Sequence, residues 1–137
     1  MAGTLTGVTN QHGIVIHVAT QSIVRDCVTQ KNRGSGIRAG NDNRIVNNLC
    51  DDNDRDGILL TSGDNRVDEN NVTDNLRGIF VSSSAGSLFI RNTSAENNTN
   101  YVFGASDKHG PIVDVSGVNG DISGTPNADH PWANFEF

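Results

Sequence analysis

The chain has 137 residues, of which 34% are hydrophobic and 5% aromatic, with a formal net charge of −6 and a pI near 4.9. One domain is the expectation from length; the acidic balance argues against nucleic acid and anionic membrane surfaces as partners, since both need a basic face. No apolar stretch approaches the 18 residues of a membrane-spanning helix, and asparagine is unusually common, with 18 copies beside 15 Gly and 13 Asp.

The opening Met1-Ala2-Gly3-Thr4-Leu5 has neither the charged region nor the apolar run of a signal peptide. It offers a partial coil around Leu5 and Val8 without an obvious cap. Gly13-Ile14-Val15-Ile16 is then the first of four Gly-apolar-x-apolar segments. Gly36-Ile37-Arg38-Ala39, Gly57-Ile58-Leu59-Leu60 and Gly78-Ile79-Phe80-Val81 follow, and Asn100-Tyr101-Val102-Phe103 lacks only the glycine. A second pattern lies between them. Ile45 to Asn53 aligns without gaps, 22 residues on, with Val67 to Asn75 and again with Phe89 to Asn97, while Ile23 to Val28 is a weaker first copy. Repeats at such a period mark a solenoid.

Each segment is too short for a helix and alternates with period two, so each reads as a strand. A unit of about 22 residues cannot bury its own apolar side, but copies stacked about 4.8 Å apart can. The expected fold is therefore all-β: a right-handed parallel β-helix of about five coils over residues 1–104. Residues 105–137 are expected to add a final strand around Gly110-Pro111-Ile112-Val113 and a capping tail with the only Trp and two of the five Phe. Four inward ladders follow: Ile14, Ile37, Ile58, Ile79, Tyr101; Ile16, Ala39, Leu60, Val81, Phe103; Ile23, Ile45, Val67, Phe89; and Val28, Cys50, Val72, Ser94. Asn48, Asn70 and Asn92, with Asp26 in the first coil, are expected at a tight turn where Asn tolerates left-handed backbone and stacks coil on coil. Asn53, Asn75 and Asn97 offer a second ladder.

Cys50 falls on an inward ladder while Cys27 aligns with the outward Leu49, so their Cβ vectors should diverge and both should be free thiols. Two cysteines fit no zinc pattern. His12, His17, His109 and His130 do not cluster in sequence, and no nucleophile elbow, P-loop, Rossmann or zincin pattern occurs. Asp52-x-Asp54-x-Asp56-Gly57 matches the first half of a calcium loop, but Gly63 stands where the bidentate Glu would be. Calcium on Asp52, Asp54 and Asp56 is one reading of this run, and ordinary turn chemistry the other. Arg33, Arg55 and Arg77 recur in one turn, with Arg38 outward on the next strand, giving a local basic stripe on an acidic protein. Its readings are a ligand-binding face or salt bridges to neighbouring Asp. The outward row Val15, Arg38, Leu59, Phe80, Val102 is mostly apolar, and a second row is expected as Val24, Val46, Asp68, Ile90; contiguous rows of this kind mark interfaces.

The repeat over residues 10 to 104 resembles the parallel β-helix family, including pectate-lyase-like proteins, and the Pro131-Trp132-Ala133-Asn134-Phe135 ending is similar to those of bacterial β-helix proteins of unassigned function. Pectate lyases bind acidic polysaccharide along this strand-and-turn face, with acidic calcium ligands and an arginine base. Carried over by position, the resemblance implies calcium at Asp52, Asp54 and Asp56 and substrate contact by Arg55 or Arg77. It also implies a secreted or cell-surface location. Likeness to viral fibre and tailspike β-helices suggests a homotrimer through Val15, Leu59, Phe80 and Val102. The expected function is a non-catalytic structural or glycan-interacting module that self-associates. The alternative is a small polyuronate lyase or glycoside hydrolase, for which the sequence assigns no catalytic residue.

Overall fold

A computed structural model describes residues 3–6, 11–16, 21–83 and 86–137. Among them there is no helix, and every strand pairing is parallel. The chain winds through three sheets as a β-solenoid of about five turns. One sheet holds, in spatial order, β1 (Gly3–Thr6), β4 (Cys27–Gln30), β7 (Leu49–Asp51), β10 (Asn71–Thr73), β13 (Thr93–Ala95), β17 (Asn134–Glu136) and β16 (Ile112–Asp114). The second runs β2 (Ile14–Ile16), β5 (Ile37–Ala39), β8 (Asp56–Leu60), β11 (Arg77–Val81) and β14 (Thr99–Val102). The third runs β3 (Ile23–Arg25), β6 (Arg44–Val46), β9 (Arg66–Asp68), β12 (Leu88–Ile90) and β15 (Lys108–His109).

Each full coil has three strands. The segment expected as strand-turn-strand breaks at a single left-handed residue: Asp26, Asn47, Glu69 and Arg91 have φ of 54–58°. Lys31, Asp52, Asp74 and Glu96 mark the next corner, and Gln21, Asp42 and Asp64 the third. A positive φ is unusual without glycine. What holds it is the residue that follows, whose side chain turns inward and bonds to the neighbouring coil. The asparagines at 48, 70 and 92 are therefore these anchors, one residue past the strained position assigned to them from sequence.

Three polar ladders result, one per corner. Asn48 donates its backbone N–H (3.0 Å) and its amide (2.9 Å) to Asn70 Oδ1, and Asn70 does the same to Asn92 Oδ1. Asn32, Asn53, Asn75 and Asn97 repeat the scheme. The third ladder is more varied, running from Ser22 through Asn43, Asn65 and Ser87 to Asp107. Burying an amide is costly unless its groups are paired, and stacking identical amides pairs those of Asn48, Asn53, Asn70 and Asn75 with the coils on either side.

The two ladders of the second sheet have the expected register, Ile14 to Tyr101 and Ile16 through Ala39 and Leu60 to Val81, with Phe103 packed on the same core. The first coil corrects the other two. Val24, not Ile23, pairs with Ile45, and Ile23 is 52% exposed. Thr29, not Val28, pairs with Cys50, and Cys27 rather than Asp26 heads the Asn48 ladder, its N–H donating to Asn48 Oδ1. The step from the first coil to the second is 21 residues here, not 22, and a slip of one residue swaps the faces of a strand. Cys27 is accordingly 2% exposed, not outward. The second outward row becomes Arg25, Val46, Asp68, Ile90, and its last two members are buried.

At the other end the tail joins the solenoid. β17 lies between β13 and β16, and Asn134 Oδ1 accepts from the Asn92 N–H and amide, adding a rung to the ladder. The Tyr101 hydroxyl lies 2.8 Å from the Phe135 carbonyl. Val113, Ala133 and Asn134 are the buried residues of this layer, whereas Trp132 is 56% exposed. Phe103 stacks between Phe89 and Tyr101, at 4.6 and 5.5 Å, so the aromatic filling lies in the last coils rather than in the tail's tryptophan.

Candidate functional site

The turns that enter the second sheet carry the charged face singled out above. Residues 11–13 precede β2, 31–36 precede β5 and 52–55 precede β8. They stack by backbone bonds: Gly13 N–H to the Ser35 carbonyl (3.1 Å), Asp54 N–H to Asn32 (2.9 Å), Arg55 N–H to Gly34 (3.3 Å) and Arg77 N–H to Arg55 (3.2 Å). The stacking puts arginines 33, 55 and 77 in successive coils. Gly57 lets the turn close, because a Cβ there would lie 2.1 Å from Val72 Cγ1.

The arginines differ in what they already hold. Arg77 Nε donates to Asp56 Oδ1 at 2.5 Å, and its guanidinium lies 3.6 Å over the Phe80 ring. Asp56 is buried and also accepts from the Ser35 hydroxyl at 3.0 Å. Arg77 is thus committed within the protein. Arg33 and Arg55 are exposed and Arg38 is half-buried. Among the described residues none of these three makes an ion pair, although Asp52 and Asp54 stand in the same turns. Arg33 and Arg55 line an open pocket of about 440 Å³ with Gln11, His12 and Gly34. Arg33 also borders a neighbouring depression of about 330 Å³ with Lys31, Asp52 and Asp54.

His12 is set into this pocket. Its Nδ1 accepts the Ser35 N–H at 2.9 Å. Its pKa is lowered, chiefly by burial and then by the nearby charges of Arg38 and Arg55, so the ring is neutral near pH 7. Sequence reasoning missed it because its partner sits 23 positions away, one coil on. His17 lies outside the described residues.

The calcium arrangement does not form as drawn from the linear motif. Asp56 turns inward to Arg77 and Ser35, Asp52 lies 3.9 Å from Lys31 Nζ, and Asp54 faces the shallow depression. Among the described residues no three His, Cys, Asp or Glu side chains gather as a metal ion requires. A second ionic cluster was also not foreseen. The buried Asp68 accepts from Arg91 Nη2 (2.6 Å) and Nε (2.9 Å) and from Arg66 Nη2 (2.9 Å). With both carboxylate oxygens engaged, this cluster pins the β9 corner. Its only sequence trace is an acidic residue among apolar ones at position 68.

Three short parallel sheets with stacked asparagines at the corners define a parallel β-helix protein. A family model described as "Periplasmic copper-binding protein (NosD)" matches residues 2–114, and the chain belongs to this NosD family. No curated protein and no solved structure matches it.

The family description invites a test of the donors. Cys50 is fully buried, and burial pushes its thiol up to about 12. Cys27 is buried with its Sγ 3.2 Å from the Arg25 carbonyl. His109 has Nδ1 2.9 Å from the Gly110 carbonyl and stacks on Phe103 at 4.8 Å. His130 Nδ1 accepts from the Trp132 N–H at 3.2 Å. Copper is held by converging thiolate, thioether or imidazole ligands. Here both thiols are buried, Cys50 is held protonated by that burial, and the described imidazoles sit in three separate parts of the chain. The described residues do not fit a copper centre.

The Cys50 thiol has a consequence for stability. Its folded value, about 12, lies above the ordinary thiol value of 9.0. From about pH 9 to 12 the unfolded chain has lost this proton while the folded chain keeps it, so stability falls as pH rises, by up to about 1.4 kcal/mol per unit. Tyr101, raised by burial and by Glu136, adds a loss of the same sign. A Cys50→Val variant, matching Val72 on the same ladder, should melt like the parent at pH 7 and show a shallower fall in melting temperature above pH 9. Equal alkaline slopes would contradict the assignment.

Proposed function

We propose that this NosD-family chain is a non-catalytic periplasmic module that binds an acidic glycan along the face carrying Arg33, Arg38 and Arg55. The observation behind the reading is that these three guanidiniums have no carboxylate partner among the described residues of a protein with net charge −6. A planar guanidinium matches a carboxylate or sulfate in bidentate fashion. Stacked coils repeat the contact about every 4.8 Å, which suits a polymer better than a lone small molecule. Against catalysis stands the state of the acid-base groups beside His12. The Ser35 hydroxyl is fully buried and donates to Asp56, and Asp56 is neutralised by Arg77.

Calorimetric titration with polygalacturonate and with a neutral glucan is the test. Only the acidic polymer should bind, and affinity should fall with added salt. Arg33→Ala with Arg55→Ala should weaken binding at least tenfold, since a hydrogen bond to a charged group contributes about 1.5–3 kcal/mol and 1.4 kcal/mol is a factor of ten. Equal affinity for the neutral glucan, or an unaffected double variant, would refute the reading. A growing absorbance from unsaturated uronate product would make the chain a lyase instead.

The reading includes self-association through Val15, Leu59, Phe80 and Val102, with a trimer as the expected assembly. Val15 is 47% exposed on the edge strand β2, whereas Leu59 and Val102 are half-buried and Phe80 is partly covered by Arg77. Leu59→Lys with Phe80→Lys should reduce a larger assembly to monomer mass in light scattering without loss of the β spectrum. A wild type already monomeric at high micromolar concentration would remove this part of the proposal.

A further inference from the structure

We infer that the pocket between Gln11, His12, Arg33 and Arg55 seats a single oxyanion of the ligand, a sugar carboxylate or a sulfate ester, and that neutral His12 is its directional donor through Nε2–H. This deepens the acidic-glycan reading and rests on it. Nδ1 accepts the Ser35 N–H, so that nitrogen carries no proton, and the proton of the neutral ring is on Nε2. With Nδ1 taken by the turn, Nε2 is the ring nitrogen left for a ligand in the pocket that His12 lines.

The surrounding chemistry is of one kind. Arg33 and Arg55 supply fixed positive charge without a carboxylate to quench it, and the Gln11 amide supplies a further donor. The pocket's volume of about 440 Å³ falls within the ~300–1,000 Å³ typical of small-ligand sites. The position of the ring is built in. At Gly34 a Cβ would lie 1.8 Å from the Gln11 carbonyl and 2.6 Å from His12 Nδ1, so only a glycine lets the second turn press against the first there.

The groups acting on His12 are Arg38 from β5, Arg55 from the turn before β8 and Asp56 from β8 itself. The two arginines oppose a third positive charge, and gaining one would also break the bond from Ser35. The anion is therefore met by a neutral imidazole at pH 7, and the ring should gain its charge only below the pH near 6.5 at which an ordinary histidine does.

The test uses the whole chain and two readouts. In the wild type, imidazole ¹⁵N shifts should show His12 protonated on Nε2, and short oligogalacturonates should move the Nε2 resonance. His12→Asn keeps an acceptor near the Nδ1 position for Ser35 but lacks the outer donor. It should lower affinity on the order of tenfold with an unchanged melting temperature. Dextran sulfate and a neutral galactan are the other arms. A response to oligogalacturonate identifies the anion as carboxylate, a response to the sulfated polymer alone identifies it as sulfate ester, and either supports the pocket. If the acidic polymer binds and loses affinity in the Arg33/Arg55 variant while the Nε2 resonance stays still and His12→Asn binds normally, the inference fails and the broader reading stands. If neither acidic polymer binds, both fall.

Discussion

Asn70→Leu should destabilise the chain by about 3–6 kcal/mol, enough to leave it largely unfolded at 37 °C if its stability lies in the usual range of about 5–15 kcal/mol. Asn70 is 2% exposed, and its amide is a junction between three coils. Oδ1 accepts both the N–H and the amide of Asn48, while Nδ2 donates to Asn92 Oδ1 and to the carbonyls of Ile45 and Asp68. A leucine removes all five bonds and leaves buried donors on Asn48 with no water to turn to. Each unsatisfied group costs about 1–3 kcal/mol, which sets the size of the effect. The left-handed backbone at Glu69 also loses the anchor that follows it. Asn70→Asp separates acceptor from donor. It keeps an oxygen for Asn48 but sets its second oxygen against Asn92 Oδ1, so it should be nearly as damaging at pH 7 and partly recover as the carboxyl protonates. Urea titrations of the three proteins measure this directly. An Asn70→Leu midpoint within error of the parent would mean that the ladder does not hold the coils.

Ile58→Asn should be of similar severity for the opposite reason. Ile58 has no exposed surface and sits between Ile37 and Ile79 in the middle coil. Asparagine there removes apolar contacts and introduces an amide for which no stacked partner exists. Lost transfer and packing energy, about 2–5 kcal/mol for truncating a buried aliphatic, adds to the cost of the unpaired amide. Ile58→Val keeps the surface apolar and should cost only about 0.5–1.5 kcal/mol. A soluble Ile58→Asn protein with the parent's melting temperature would reject the coil register. The two substitutions exchange the chemistry of ladder types that neighbour each other, and position alone makes each fatal.

Much of this architecture was legible. The apolar steps from Ile14 to Tyr101 and the gapless alignment of residues 45–53, 67–75 and 89–97 specify parallel coils, and two asparagine columns could be named before their bonds were seen. The exact corner residues were not legible, because the corners are made by Asp, Asn, Glu and Arg rather than by glycine. A left-handed Glu69 or Arg91 gives no local signal; its support comes from the next residue's bond to another coil. The Asn43, Asn65, Ser87 corner did keep the 22-residue step and could have been read from it. The first coil was misplaced by one residue because its step is shorter, which put Cys27, Ile23 and Val28 on the wrong faces.

The arginine stripe was likewise visible from its 22-residue recurrence at 33, 55 and 77. Spacing alone could not tell which arginine was already bound. That depended on Asp56 turning inward beneath Ser35, which takes Arg77 out of the stripe and leaves Arg33, Arg38 and Arg55. The same turn undoes the calcium motif. Three carboxylates at alternate positions converge on a metal only if the chain wraps around it, and here the run crosses from a corner into strand β8.

Arginine side-chain ¹H–¹⁵Nε spectra during titration with short oligogalacturonates test the functional account most directly, because the protein carries its own controls. The Arg33, Arg38 and Arg55 resonances should move together and saturate, while those of Arg66, Arg77 and Arg91, held by Asp68 and Asp56, stay in place. Resonances that all remain fixed at saturating oligomer, or movement confined to the paired arginines, would contradict it.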